Sequence, residues 1–165
     1  MKKYFPALVA GFGAGVLHIV PLTKGLTCCL VVPIAAVIAI MLEQKANGNL
    51  KIIELKRGVI LGLLTGVFAA LFGSFFDIMI TFITKNNDII LAFNEMNDIL
   101  DTFPVPEYVR EEVINLMGSV VESIKETGFS SIYAISIIFN NLIVDSIFGL
   151  IGGLAGTKIL NSRNS

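Results

Sequence analysis

His18, Asp77 and Asp145 are the residues whose types and spacing point to chemistry, because each terminates a run of small residues at helical spacing inside an apolar stretch. The runs are Ala7, Gly11, Gly15, His18; then Gly62, Gly66, Ala69, Gly73, Asp77; and, in the opposite direction, Asp145, Gly149, Gly152, Gly156. Small residues every third or fourth position let helices approach closely in lipid, and an ionisable group within such a seam is costly enough to suggest a function. Two carboxylates sharing a low-dielectric site cannot both stay ionised unless a proton, a cation or an imidazolium supplies the balance. The pattern predicts an ion or proton site with Asp77 and Asp145 as ligands or proton carriers and His18 as their titratable partner. Asn140, Asn141 and Ser146 are neighbouring polar donors. The competing reading is that these side chains hydrogen-bond across helices only to fix packing.

A second chemical candidate is the vicinal pair Cys28 and Cys29. Thiol redox is one reading, but there is no C-x-x-C and no second cysteine pair to relay electrons, and a disulfide between neighbours is strained. Burial as small hydrophobes is the plainer reading. With His18 and a carboxylate the pair could hold a soft metal, although one histidine and no recognisable ligand spacing leave the metal unspecified. No cofactor is expected. Gly-rich phosphate loops, nucleophile elbows and zinc motifs are absent from the sequence, which predicts that the protein is not an enzyme.

Elements able to position these groups follow from composition. The 165 residues are 55% hydrophobic and 15% charged with a mean hydropathy of +0.81, whereas soluble domains carry about 25% charge. About 20 helical residues cross the hydrocarbon core. Four stretches qualify or come close: Tyr4 to Thr23, Leu26 to Leu42, Gly58 to Thr84 and Ser131 to Leu160. The expected fold is an all-α polytopic membrane protein, one membrane domain over residues 1–165 with four transmembrane helices. The second stretch is short and contains Pro33, so a re-entrant hairpin with the first is its alternative. The ladders Gly58-x3-Gly62-x3-Gly66 and Gly149-x3-Gly153 suit packing within one subunit or across a dimer face.

Lys and Arg are retained on the cytoplasmic side. Placing both termini and the second loop inside puts Lys2, Lys3, Lys45, Lys51, Lys56, Arg57, Lys158 and Arg163 there, against Lys24, Lys85, Arg110 and Lys125 outside. The predicted topology is N-in and C-in, with the N-terminus an uncleaved anchor. Nothing basic enough to require nucleic acid is present, and anionic lipid accounts for the inner charge. At roughly 1.5 Å per residue, His18, Asp145 and Asp77 lie about 22, 20 and 30 Å from the inner anchors Lys3, Lys158 and Arg57, all in the outer half.

Between the second and third spans, Ala46-Asn47-Gly48-Asn49 signals a turn. Leu50, Ile52, Ile53 and Leu55 among Lys51, Lys56 and Arg57 then predict a short interfacial helix. Residues 85–130 form the largest piece outside the spans. Ile89, Phe93, Met96, Leu100 and Phe103 draw one helical stripe, with Asn94, Glu95, Asn97, Asp98 and Asp101 on the other face. Pro104 and Pro106 end that helix. Val109, Val113, Leu116, Val120 and Ile124 mark a second stripe, and Gly128 suits its end. The two make an acidic amphipathic helical hairpin on the extracytoplasmic side.

Gly11-x-Gly13-x-Gly15, Pro21, Cys28-Cys29 opening a span with Ala35-Ala36, and Arg57-Gly58 before a Gly-rich span resemble small four-span bacterial membrane proteins grouped as a domain of unknown function. The resemblance implies a four-helix fold in a bacterial inner membrane and no activity. The sequence favours an accessory or scaffold subunit that packs with itself, as a homo-oligomer, or with another membrane protein in the bilayer. Its alternatives are ion or proton translocation through His18, Asp77 and Asp145, and thiol redox at Cys28 and Cys29.

Overall fold

The computed structural model describes residues 3–20, 25–46, 52–102, 104 and 106–163. The regular elements among the described residues are all helical, with no strand: α1 (Phe5–Leu17), a π-turn (Thr27–Val31) running into α2 (Val32–Ala46), α3 (Leu55–Thr84), α4 (Asp88–Thr102), α5 (Glu107–Thr127) and α6 (Ser131–Arg163). Thr27–Ala46, Leu55–Thr84 and Ser131–Ser162 are long and apolar enough to cross a membrane. Ile34, Ile38, Met41, Leu71, Ile147 and Ile151 are exposed on them while small residues fill the interior, an arrangement compatible with a multi-pass membrane protein. Two compact units are present, residues 1–77 with 137–165, and residues 78–136.

In the first unit α1 stops after 13 residues, short of the length needed to span. The residue before a proline is disfavoured in helix, and Pro21 follows three residues after His18; the expected continuation through Pro21–Thr23 lies outside the described residues. Pro33 has no N–H and its ring crowds the carbonyl four residues back. The wider turn just before it relieves this conflict, with the Val32 N–H bonding the Thr27 carbonyl.

The short interfacial helix expected ahead of α3 is absent from its described part, and Leu55 to Arg57 instead open α3. Ile52–Glu54 is non-helical because the Asn161 amide takes both backbone groups of Ile53, accepting from its N–H at 2.9 Å and donating to its carbonyl at 2.9 Å. Of the turn expected at Ala46-Asn47-Gly48-Asn49, Ala46 is still helical, as the last residue of α2; residues 47–51 lie outside the described residues. Nearby, Arg57 Nε donates to Glu43 Oε1 at 2.8 Å, Arg57 Nη2 donates to the Lys3 carbonyl, and the guanidinium lies 5.2 Å from the Tyr4 ring centre. One guanidinium thus joins the start of α1, the last turn of α2 and the start of α3.

The glycines set the interhelical distances. A Cβ added at Gly11 or Gly15 would stand 2.6 Å from the Cβ of Phe68 or Phe72 on α3; at Gly62, 2.7 Å from Gly153 Cα; and at Gly149, 3.0 Å from Gly66 Cα. Gly152 meets Pro33 of α2 in the same way, and Gly156 meets Val37. Backbone lies against backbone where α3 crosses α6.

In the second unit, Ile90 of α4 is buried with Val120, Val121 and Ile124 of α5, and Ile89, Phe93 and Tyr133 pack around them. Ile89, Phe93, Val120 and Ile124 belong to the two expected stripes, whereas Ile90, Val121 and Tyr133 do not and Leu116 of the second stripe is exposed; Phe103 and the side chains of Asn94, Asn97, Asp98, Leu100 and Asp101 lie outside the described residues. Lys85, at φ 52°, donates to the Glu126 carbonyl at 2.6 Å. Gly128 ends α5 at φ 79°, and a Cβ there would lie 3.0 Å from Phe82 Cα. Gly128→Ala is expected to cost about 1–2 kcal/mol through the left-handed backbone alone, seen as a lower denaturation midpoint of the purified protein in detergent.

Candidate polar site in the helix bundle

Close packing of small residues carries the ionisable groups to one place. Gly15 seats α1 on α3, with a Cβ there only 3.0 Å from the Gly73 N. One turn on, the His18 imidazole lies over Gly73, whose missing side chain leaves it room: a Cβ at Gly73 would stand 2.9 Å from His18 Cγ. Gly66 seats α6 in the same manner, since a Cβ there would lie 2.7 Å from the Asp145 carbonyl carbon. Asp145 is thereby drawn into the bundle, where it is 1% exposed.

His18 Nε2 and Asp145 Oδ2 face each other at 3.1 Å. Neither atom has a hydrogen-bond partner, their mutual approach being outside hydrogen-bond alignment. Both line a cavity of about 210 Å³ together with Cys28, Gly73, Asp77, Ile137, Asn140, Asn141 and Val144. Asp77 is 9% exposed. Asn141 Nδ2 donates to Ser74 Oγ at 3.0 Å, tying α6 to α3 beside the cavity.

Of the residues singled out in the sequence, His18, Asp77, Asp145, Asn140, Asn141 and Cys28 therefore share one cavity. Ser146 is half-buried and sits with its Cα against Gly66 instead. Cys29 is exposed, and its Sγ lies 3.4 Å from Cys28 Sγ, both thiols being free. Among the described residues no group of three His, Cys, Asp or Glu side chains is arranged to ligate a metal directly. Sequence reading missed Ser74, which is 1% exposed; its place one turn before Asp77, on the same helical face, was the available signal.

Chemically the cavity offers one imidazole, two carboxylates, two amides and a thiol. These groups can accept, hold and pass on protons, or hold a hydrated cation. No protein-family profile, curated protein or solved structure matches the chain.

Proposed function

We propose that the chain is a non-enzymatic, multi-pass protein of a bacterial inner membrane whose polar cavity binds and exchanges protons or small cations. The observation that carries this reading is the His18–Asp145 pair, 3.1 Å apart with Asp145 1% exposed, lining one cavity with Asp77. A structural pair gains from complete hydrogen bonding, yet neither facing atom has a hydrogen-bond partner. The positive residues favour four spans with both termini inside, which puts the cavity in the outer half and α4 with α5 outside as a helical hairpin.

Proteoliposomes in sodium- and potassium-containing buffer, given a pH step and read with an internal dye, test this. The wild-type protein should relax the step at least about tenfold faster than empty vesicles, and Asp145→Asn, which removes one titrating group, should return the rate to the empty-vesicle value. Equal rates for the two proteins overturn the reading.

An accessory role is the second reading, favoured by Leu91, Leu116 and Tyr108, which are exposed on the amphipathic helices α4 and α5 and suited to a protein partner. The glycine ladders are taken as packing within the chain, so self-association would use lipid-facing surfaces.

A further inference from the structure

We infer that Cys28 and Cys29 form a chelating site for trivalent arsenic, taken as its neutral oxyacid, with the buried Asp145 carboxylate receiving the hydroxyl that the bound arsenic keeps. The site lies beyond the proposed function, which makes no use of either thiol.

The inference begins with the π-turn. Neighbouring side chains on a regular helix do not face each other, so an α-helical turn would point the two sulfurs apart. In the wider turn that accommodates Pro33, Cys28 Sγ and Cys29 Sγ instead lie 3.4 Å apart, both thiols free. Cys28 lines the cavity while Cys29 is exposed. The pair thus has one sulfur on the cavity wall and one open to reagents.

The separation decides which atom the pair can hold. At bonds of about 2.3 Å, sulfurs 3.4 Å apart subtend an angle of about 95° at a shared atom. A linear two-coordinate ion would need them about 4.6 Å apart and a tetrahedral one about 3.8 Å at the same bond length. A tetrahedral metal needs further ligands besides, and the described residues contain no group of three His, Cys, Asp or Glu side chains arranged to supply them. A disulfide would need the sulfurs at about 2.05 Å in a strained ring of neighbours, whereas chelation uses the separation already present. Trivalent arsenic is soft, bonds sulfur at a similar length, and its lone pair holds its three bonds in a pyramid with angles near 90°. Two thiolates and one oxygen complete it.

The cavity supplies the rest. On binding, both S–H bonds and two As–O bonds break, two As–S bonds form, and two waters leave. Oxidation states are unchanged, so no oxidant or reductant takes part. One As–O–H group remains. Asp145 Oδ2, on a residue 1% exposed, lines the same cavity without a hydrogen-bond partner and is the acceptor for that hydroxyl. A cavity of about 210 Å³ admits arsenite, whose four heavy atoms need the space of about four waters at about 30 Å³ each.

The test uses the full chain in detergent, reduced and then freed of reductant, with arsenite and phenylarsine oxide as probes. Native mass spectrometry should show one arsenic per chain, and thiol titration should show both cysteines protected. A small dithiol such as dimercaptopropanol should release the arsenic and restore both thiols. Cys28→Ser and Cys29→Ser should each bind at least about a hundredfold more weakly, the usual loss when a second, tethered bond is removed. Circular dichroism and monodisperse elution check that each variant folds. Asp145→Asn separates the two probes. Arsenite keeps a hydroxyl and should bind about tenfold more weakly, the loss expected for a hydrogen bond to a charged group. Phenylarsine oxide loses its oxygen as water and should bind unchanged.

Failure of the wild-type chain to retain either arsenical would overturn the site. So would equal affinity in Cys29→Ser, which would mean attachment through one thiol. Arsenite binding unchanged in Asp145→Asn, or an equal loss of both probes there, would overturn the part given to the carboxylate. Mass and thiol count do not depend on transport, so these results leave the flux reading of the cavity to its own test.

Discussion

Gly62→Val is expected to destabilise the helix bundle by about 1–3 kcal/mol or more, the range for overpacking a closely fitted interior. The reason lies in what surrounds the missing side chain. A Cβ at Gly62 would stand 2.7 Å from Gly153 Cα and 2.9 Å from Gly153 N, both backbone atoms of α6. No rotamer change can relieve a clash with backbone, so the helices must separate. Separation would also loosen Gly66 from the Asp145 carbonyl one turn along and move the carboxylate away from His18. Gly149→Val enters the same crossing from the other side, 3.0 Å from Gly66 Cα. Because both variants force the same separation, the double variant should cost less than their sum. Gly13→Ala is the control: nothing lies within 4 Å of a Cβ there, and alanine's better helix propensity predicts no loss and a gain of up to about 1 kcal/mol. Thermal denaturation in detergent reads all four. A Gly62→Val midpoint equal to that of Gly13→Ala would mean that α3 and α6 do not pack as described.

Much of this arrangement was legible because a membrane helix declares itself by length and apolarity, and the close approach of helices by small residues. The runs ending in His18, Asp77 and Asp145 identified three walls of the cavity from spacing alone. Their meeting point was not legible: it depends on which helix faces which, and that is set by backbone contacts such as Gly66 on Asp145, which leave no trace in residue type beyond the glycine. The π-turn was likewise hidden, although Pro33 marked the place where an α-helical hydrogen bond had to fail. The non-helical stretch Ile52–Glu54 ahead of α3 shows the reverse. Ile52 to Leu55 has the composition of an interfacial helix, but Asn161, more than a hundred residues away, takes the Ile53 backbone groups that a helix would have used. A tertiary hydrogen bond to backbone overrides a local pattern, and no local window contains it.

The second large effect is an asymmetry between the two members of the buried pair. Removing one partner of a buried ion pair leaves an uncompensated charge, which typically costs about 3–5 kcal/mol unless the remaining group can shed that charge. At pH 7 an imidazole, with an ordinary pKa near 6.5, becomes neutral at almost no cost, whereas neutralising a carboxyl of ordinary pKa near 3.9 costs about 4 kcal/mol. His18→Leu should therefore destabilise the protein more than Asp145→Leu does at neutral pH. Exchanging both for leucine removes both charges, and the double variant should be more stable than His18→Leu alone, with a coupling energy well outside the few tenths seen for independent sites. Flux should be lost in all three, so stability and transport separate. Denaturation midpoints of the four proteins at neutral pH complete the cycle. Additive effects would mean that the 3.1 Å approach of His18 to Asp145 carries no electrostatic coupling, and the cavity would lose the charge pairing on which its proposed chemistry depends.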